Sequence, residues 1–311
     1  MSAEMRTVVL GKGARCAAAL ESLVGGGHAV VLAMIESGMP DDPARTAAER
    51  FGVEIAGGEP LAMDQRIRAI KAADAELVVL ASFSQIVPHD LFAKPSRGAL
   101  NLHAGKLPQY RGSSPLNWAL INGERSFGLS IIRVDAGIDT GPVVAEAEYP
   151  IGIDDTIADL HDRANREFGP LLIEAVHHLE RDGAPRQQVD DEAVYWPLRF
   201  PDDGFIVWDL MTAAQVHNLV RALADPYPNA STGIGDRRVR IGRTRLTDEA
   251  IRGEPGRIYR IEGDQLLVAA ADRCLWVTEA TFFATGEPVA SSVDRYDTFM
   301  TIRNSLSRGV R

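Results

Sequence analysis

The sequence is poor in cysteine and has no long apolar run, and each shortage excludes a class of protein. Two cysteines, Cys16 and Cys274, occur in 311 residues, without a disulfide framework or the spacing of a zinc site. The longest apolar runs, such as Leu77–Ala81, are far shorter than a membrane span. The first residues contain no hydrophobic signal segment. We therefore expect a cytoplasmic protein without a metal site.

Basic residues are outnumbered by acidic ones, and the formal net charge is −10. This charge opposes non-specific nucleic-acid binding, because phosphate groups must be met by lysine and arginine. The imbalance lies in the first 204 residues, which carry −11, whereas residues 205–311 contain 14 arginines and 13 acidic residues. Five of these arginines fall within Arg237–Arg245. That run fits either a phosphate or RNA contact or a solvated hairpin, and both stay open.

The first half of the chain alternates short apolar runs with helix-like segments, and the total length suits two domains. Strands are predicted at residues 7–10, 28–35, 53–55, 76–81, 98–103 and 128–134. Helices are predicted at residues 14–24, 44–51, 63–73 and 156–179. This alternation of strands and helices predicts an α/β fold with a parallel, doubly wound sheet.

The second half of the chain has a different pattern. A helix is predicted at residues 212–224, with Thr212 as its N-cap. Short strands separated by glycines follow at residues 238–241, 257–261, 265–270 and 273–278. They predict a small β-barrel. We therefore expect a first domain at 1–182, a linker rich in charge, proline and aromatics at 183–204 that partly packs on it, and a C-terminal domain at 205–311.

Three polar residues in a frame of glycine and proline are the strongest functional signal. Asn101 and His103 are two positions apart on a predicted strand, so their side chains share one face. Asp139 lies in a second glycine-rich segment, Asp135–Gly141. An imidazole can move protons near neutral pH, a carboxamide can stabilise a developing oxyanion, and a carboxylate can hold the imidazole. We therefore predict that these three residues form a catalytic site.

Four motifs surround these residues. They are Asn101-x-His103, Leu107-Pro-x-Tyr-Arg-Gly112, Pro115-Leu-Asn-Trp-Ala119 and Gly137-Ile-Asp-Thr-Gly141. Together they resemble the N10-formyltetrahydrofolate-dependent formyltransferases, a group that includes methionyl-tRNA formyltransferase and the sugar-nucleotide N-formyltransferases. The resemblance covers about residues 5–285. It implies a Rossmann-like first domain followed by a small OB-like β-barrel domain.

The resemblance also implies how the three polar residues act. A substrate amine attacks the formyl carbon carried on N10 of the folate. His103 transfers the proton that the amine loses or that the leaving folate nitrogen gains. Asn101 hydrogen-bonds the oxyanion, and Asp139 holds the imidazole. Formyl-tetrahydrofolate is the implied co-substrate, and no metal is implied. The implied folate-binding residues are Ser82, Phe83, Gln85, Ile86, Val87, Asp135, Ala136, Gly137 and Ile138. Phe83 and Ile86 are equally compatible with ordinary core positions.

The loop after His103 bears on the acceptor. It reads His103-Ala-Gly-Lys-Leu-Pro108, where methionyl-tRNA enzymes usually read His-x-Ser-Leu-Leu-Pro, and it resembles enzymes that formylate nucleotide-linked amino sugars. The acidic first 204 residues favour the same choice, so we predict a nucleotide-linked amino sugar as acceptor. Lys106 is either a contact to a phosphate or the folate tail, or a solvated residue. Trp196, Arg199 and Arg221 are candidates for binding the sugar or diphosphate.

Other functions stay open. Initiator methionyl-tRNA as acceptor is supported by the barrel pattern and by Arg237–Arg245. A hydroxyornithine-type amine would use the same scaffold. A non-enzymatic folate- or nucleotide-binding module is disfavoured by the intact Asn101, His103 and Asp139. A homodimer through a barrel edge is compatible with the sequence, and no membrane contact is expected.

Overall fold

The computed structural model describes residues 5–56 and 61–308, which divide into two compact units. The first unit contains the chain up to Pro115 together with Phe127–Tyr149 and His161–Trp196. The second unit contains Leu116–Ser126, Pro150–Leu160 and the chain from Pro197 onward. Two short segments from the first half of the chain thus belong to the second unit, and residues 183–196 belong to the first.

The first unit contains a six-stranded sheet and one short pair of strands. In chain order the strands are β1 (Thr7–Gly11), β2 (Val30–Ile35), β3 (Leu77–Ala81), β4 (Ala99–His103), β5 (Arg111–Gly112), β6 (Ser126–Arg133), β7 (Val143–Pro150) and β8 (Tyr195–Trp196). The large sheet has the order β2-β1-β3-β4-β6-β7, and β5 pairs with β8. Strands β1 to β4 are parallel, but β6 is antiparallel to β4. The sheet is therefore mixed, which an apolar run cannot reveal because it carries no strand direction.

Six α-helices occur among the described residues of the same stretch of chain. They are α1 (Gly13–Gly25), α2 (Pro43–Arg50), α3 (Met63–Ala72), α4 (His89–Ala93), α5 (Pro115–Ile121) and α6 (Ile157–Glu180). The helices predicted at residues 14–24, 44–51, 63–73 and 156–179 are confirmed to within one residue at each end. The predicted strand at 53–55 forms only an isolated bridge from Ala33 to Ile55. Alternate residues of β1 and β3, including Val8, Leu10, Val78 and Leu80, lie in one buried cluster.

The second unit contains a five-stranded antiparallel sheet with one helix packed on it. Its elements are α7 (Ala213–Ala222), β9 (Ala230–Ile234), β10 (Arg237–Arg245), β11 (Ile258–Glu262), β12 (Gln265–Ala269), β13 (Cys274–Phe282) and α8 (Ile302–Arg308). The predicted N-cap of α7 is confirmed, because Thr212 Oγ1 accepts from the backbone N–H of Gln215 at 3.2 Å. Trp208 and Phe299 stack with their ring centroids 5.5 Å apart in the buried centre.

Two further features follow from the described residues. None of their helices is long and apolar enough to cross a membrane. In the same part of the chain, no group of three or more histidine, cysteine, aspartate or glutamate side chains is placed to hold a metal ion.

Candidate active site

Asn101 and His103 meet Asp139 in the first unit. Strand β4 is hydrogen-bonded on both sides, to β3 and to β6, which fixes its register. Oδ1 of Asp139 lies 3.4 Å from Nδ2 of Asn101 and 3.5 Å from Nδ1 of His103. The structure therefore places the three residues that the sequence singled out around one carboxylate oxygen.

The other ring nitrogen of His103 determines its tautomer. Nε2 lies 2.6 Å from the backbone carbonyl oxygen of Tyr110, which can only accept a hydrogen bond. Nε2 must therefore carry a proton, and in the neutral ring Nδ1 is the nitrogen with the free lone pair. A proton taken up at Nδ1 would lie next to the Asp139 carboxylate. This arrangement can accept a proton and stabilise the resulting positive charge.

The three residues after His103 have different surroundings. Ala104 is buried, and Gly105 lies so close to the imidazole that an added Cβ would be 2.6 Å from Nε2 and 2.7 Å from the carbonyl oxygen of Tyr110. Gly105 is therefore a packing requirement of the His103–Tyr110 hydrogen bond. Lys106 is exposed, and its Nζ pairs with Oε2 of Glu148 at 3.0 Å. This loop differs from that of the methionyl-tRNA enzymes at Gly105 and Lys106. Because packing explains Gly105, only Lys106 still bears on the identity of the acceptor.

The carboxylate and backbone of Asp139 are both constrained. Its Oδ2 accepts from the backbone N–H of Gly112 at 2.9 Å. Its backbone has a φ of 53°, a left-handed conformation that costs a non-glycine residue on the order of 1 kcal/mol. The side chain is thus presented by an unusual backbone and fixed by a neighbouring loop, which is typical of a preorganised site.

The loop after β3 carries the first group of predicted folate residues. Oε2 of Glu36 accepts from both the backbone N–H and the hydroxyl of Ser84, at 2.9 and 3.0 Å. Glu36 in turn forms a buried ion pair with Arg66, whose guanidinium lies 5.0 Å from the ring centroid of Phe83. Phe83 packs against the core, whereas Ile86 is 85% exposed. The core interpretation thus holds for Phe83 and is wrong for Ile86.

The second predicted folate segment is organised by its own carboxylate. Oδ1 of Asp135 accepts from the backbone N–H of Gly137 at 3.0 Å and from the hydroxyl of Thr140 at 2.6 Å. Ile138 in this segment is 56% exposed. Each of the two predicted segments therefore presents a large apolar side chain to solvent. The folate contacts of these residues stay a prediction.

The three candidates for sugar or diphosphate binding each have contacts within the protein. Arg221 is buried and donates to the carbonyl oxygens of Gly152 and Asp155, both at 3.1 Å. Arg199 stacks on Trp118, with Cζ 4.7 Å from the ring centroid. The indole N–H of Trp196 donates to the carbonyl oxygen of Gln109 at 3.0 Å. Spacing along the chain could not reveal these contacts, because each joins residues that are distant in sequence.

Sequence reasoning also missed groups that support the site. The carbonyl of Tyr110 and the N–H of Gly112 are backbone atoms, which leave no side-chain signal in a sequence. The Glu36–Arg66 pair joins residues 30 positions apart. A charged residue directly after a buried strand, as Glu36 is after β2, is the one cue that could have pointed to it.

An imidazole, a carboxamide and a carboxylate brought together on an α/β sheet can carry out proton transfer and oxyanion stabilisation, which group-transfer enzymes use. Residues 5–176 match the family described as formyl transferase, and residues 200–288 match its C-terminal domain. The chain belongs to the formyl transferase family. It is an N10-formyltetrahydrofolate-dependent N-formyltransferase, with formyl-tetrahydrofolate as co-substrate. The resemblance seen in the motifs is thereby confirmed.

Relatives and solved structures span more than one acceptor. The methionyl-tRNA formyltransferase of Desulforamulus reducens is 30% identical over 285 residues, covering 88% of this chain and 89% of its own. The N-formyltransferase from Helicobacter canadensis, solved with folinic acid and dTDP-3-aminofucose, has a TM-score of 0.70 at 18% identity, covering 88% of this chain and 98% of its own. The methionyl-tRNA formyltransferase from Clostridium thermocellum has a TM-score of 0.58 at 20% identity, covering 79% and 95%. These two structural likenesses show the fold.

Proposed function

We propose that this chain transfers the formyl group of N10-formyltetrahydrofolate to the amino group of methionyl initiator tRNA, through Asn101, His103 and Asp139. The observation that carries the choice of acceptor is similarity along nearly the full length to proteins named methionyl-tRNA formyltransferase. This replaces the amino sugar that the sequence alone favoured.

The contacts of the three residues support the following chemistry. The amine nitrogen attacks the formyl carbon, a C–N bond forms, and Nδ2 of Asn101 donates to the oxyanion that develops. Nδ1 of His103 accepts the proton that the amine loses. Nε2 keeps its own proton, which stays hydrogen-bonded to the carbonyl oxygen of Tyr110. Oδ1 of Asp139 stabilises the imidazolium. The bond from the formyl carbon to N10 then breaks, and N10 takes the proton from His103.

An arginine-rich strand in the second unit also supports a tRNA acceptor. All five arginines of β10 are exposed. Arg238 and Arg240 both lie over the ring of Phe283, each with Cζ 4.6 Å from its centroid. Glu279, which pairs with Arg243 in the sheet, is the acid opposite this row. Phosphate groups bind to such local cationic rows even when the net charge of the protein is negative.

A nucleotide-linked amino sugar is the second candidate. The net charge of −11 on the first 204 residues favours it, because this acidic part of the chain repels a long polyanion more than a small ligand. Lys106, in the loop directly after His103, offers a cation for a single diphosphate once it leaves Glu148.

A panel of acceptors distinguishes these candidates. The protein is incubated with formyl-tetrahydrofolate and, separately, methionyl initiator tRNA, a set of amino-sugar nucleotides and hydroxyornithine, and products are identified by mass spectrometry. We expect N-formylmethionyl-tRNA, with one tetrahydrofolate released per formyl group. Formylation of a sugar nucleotide alone would overturn the proposed acceptor and leave formyl transfer standing.

The arginine row gives an independent test on the same acceptor. In the double variant Arg238→Ala/Arg240→Ala, we expect a higher KM for the tRNA and a salt dependence that is weaker by about one to two units of slope. Arg252→Ala removes an exposed charge outside β10 and serves as the matched control. Equal KM values and salt slopes in the two variants would exclude the row as a tRNA contact.

A further inference from the structure

Asp139 depends on groups outside its own loop to stay in place. Its backbone is in the left-handed region, and its contacts to Asn101 and His103 are long, at 3.4 and 3.5 Å. A small rotation of this backbone would therefore separate the carboxylate from both partners. The hydrogen bond from the backbone N–H of Gly112 fixes the carboxylate of Asp139 but not its backbone.

The backbone end is held by Gln188. Its Nε2 donates to the carbonyl oxygens of Asp139 and Gly141, at 2.8 and 2.7 Å. Its Oε1 accepts from Nε of Arg111 at 3.0 Å. Because guanidinium groups only donate and carbonyl groups only accept, the amide of Gln188 fits in one orientation. All three of its bonds are satisfied in that orientation.

Arg111 is itself fixed. It is 2% exposed, and it donates to Oδ1 of Asp190 at 2.8 Å and to the hydroxyl of Tyr195 at 3.0 Å. The segment that carries Gln188 is anchored on both sides, because Arg186 exchanges two backbone hydrogen bonds with Val143 and β8 pairs with β5. Residues 186–196, which the sequence assigned to a linker, are thus hydrogen-bonded to the first unit at both ends and contact the backbone of Asp139 through Gln188.

We propose that Gln188 is a positioning residue for formyl transfer, which holds Asp139 in its left-handed conformation so that the carboxylate meets His103 and Asn101. The inference rests on the proposed role of Asp139. Gln188 acts through the backbone carbonyls on either side of Thr140 and touches no reacting atom. Arg111 determines which end of the amide faces those carbonyls.

A double-mutant cycle tests whether Gln188 acts through Asp139. We expect Gln188→Ala to lower kcat by about 10-fold to 100-fold, as misplacement of a catalytic group does. The same change is then made in Asp139→Gly, where glycine adopts the backbone without strain and no carboxylate is left to position. In that background, we expect Gln188→Ala to change kcat by less than about 2-fold. Equal fold-changes in both backgrounds would overturn the proposal.

Two control variants complete the cycle. Gln187→Ala alters the exposed neighbouring glutamine and should leave kcat at the wild-type value. Gln188→Met keeps the side-chain length without its donors and should lower kcat as Gln188→Ala does. Wild-type kcat in either Gln188 variant, or loss of the folded state in both, would overturn the proposal while the proposed function stands. A wild-type protein that formylates no acceptor would overturn both.

Discussion

At the scale of single residues, the position of His103 depends on a backbone group. The carbonyl of Tyr110 keeps the proton on Nε2 and so leaves the lone pair of Nδ1 facing Asp139. The short loop between His103 and Tyr110 must therefore pack closely on the ring, and Gly105 is the residue that allows it. The tautomer of His103 therefore depends on this packing, and with it the nitrogen that we propose as the proton acceptor.

A methyl group at position 105 should disturb this arrangement. In Gly105→Ala the new Cβ would meet Nε2 of His103 and the carbonyl of Tyr110 at 2.6 and 2.7 Å, so one of them must move. We expect kcat to fall by about 10-fold to 100-fold, and the free energy of unfolding by about 1–3 kcal/mol. Steady-state kinetics and urea unfolding measure the two effects.

Gly25→Ala is the matched control, because a Cβ added there would meet nothing within 4 Å. Its kcat should equal that of the wild type. An unchanged kcat in Gly105→Ala as well would show that the His103–Tyr110 contact does not limit turnover.

That Asn101, His103 and Asp139 lie together could be predicted from the sequence, whereas the groups that hold them could not. Asn101, His103 and Asp139 stand out because each is a polar group framed by glycine or proline. The backbone groups that orient them, and the amide of Gln188, come together only when distant segments pack. The contacts of Arg199 and Arg221 could not be predicted for the same reason.

At the scale of elements, the loop after β3 is tied to α3 through two charged side chains. Glu36 and Arg66 are only 4% and 2% exposed in their side chains. Breaking a buried ion pair leaves an uncompensated charge, which lowers the free energy of unfolding by about 3–5 kcal/mol. An exposed pair contributes only about 0–1 kcal/mol. Helix α3 takes part in both kinds of pair, since its Arg68 and Asp64 form an ion pair in which both side chains are largely exposed.

Glu36→Gln should therefore destabilise the first unit and loosen the predicted folate loop. We expect a loss of roughly 3 kcal/mol in the free energy of unfolding. The KM for formyl-tetrahydrofolate should rise by about 10-fold, because the anchor of Ser84 is weakened. Urea unfolding and initial rates measure the two quantities.

Asp64→Asn makes the same chemical change in the exposed pair of α3. It should cost less than about 1 kcal/mol and leave the KM for the folate unchanged. Matching effects in the two variants would contradict the anchoring role of Glu36.

In helix α6, His161 makes the free energy of unfolding depend on pH. Burial, and secondarily Arg15, lower the pKa of His161 from 6.5 to about 4, against a smaller opposite effect of Asp162. The unfolded chain therefore binds a proton that the folded protein excludes, so the contribution of His161 to stability is complete above pH 6.5 and is lost as the pH falls toward 4. Between pH 7 and 5 we expect a loss of about 2 kcal/mol from this residue. Urea unfolding of His161→Gln should show a smaller loss over that interval.

His89→Gln is the comparison variant, since His89 is exposed. Its stability should follow the wild-type pH dependence. The same pH dependence in His161→Gln would exclude His161 as the cause.

Helices were predicted from the sequence more completely than strand pairing was. Apolar spacing is a local signal, so α1, α2, α3 and α6 could be located to within one residue. The direction of β6 and the existence of β9, whose sequence Ala-Ser-Thr-Gly-Ile has few apolar residues, depend on partners elsewhere in the chain.

At the scale of the whole molecule, charge and similarity favour different acceptors. The acidic balance of −10 alone would favour a small ligand. The exposed arginines of β10 and the similarity to methionyl-tRNA formyltransferases along nearly the full length support the tRNA that we propose. A concentrated cationic row affects phosphate binding more than the total charge does, since salt screens charges beyond about 10 Å.

The most direct test of the account is the rate of formyl transfer by the wild type and by His103→Ala. Both are incubated with formyl-tetrahydrofolate and methionyl initiator tRNA, and the formylated product is followed by mass spectrometry, with thermal unfolding as a check on folding. We predict that the wild type forms N-formylmethionyl-tRNA and that folded His103→Ala does so more slowly by a factor on the order of 10². A wild-type rate in His103→Ala would contradict the assignment of the site.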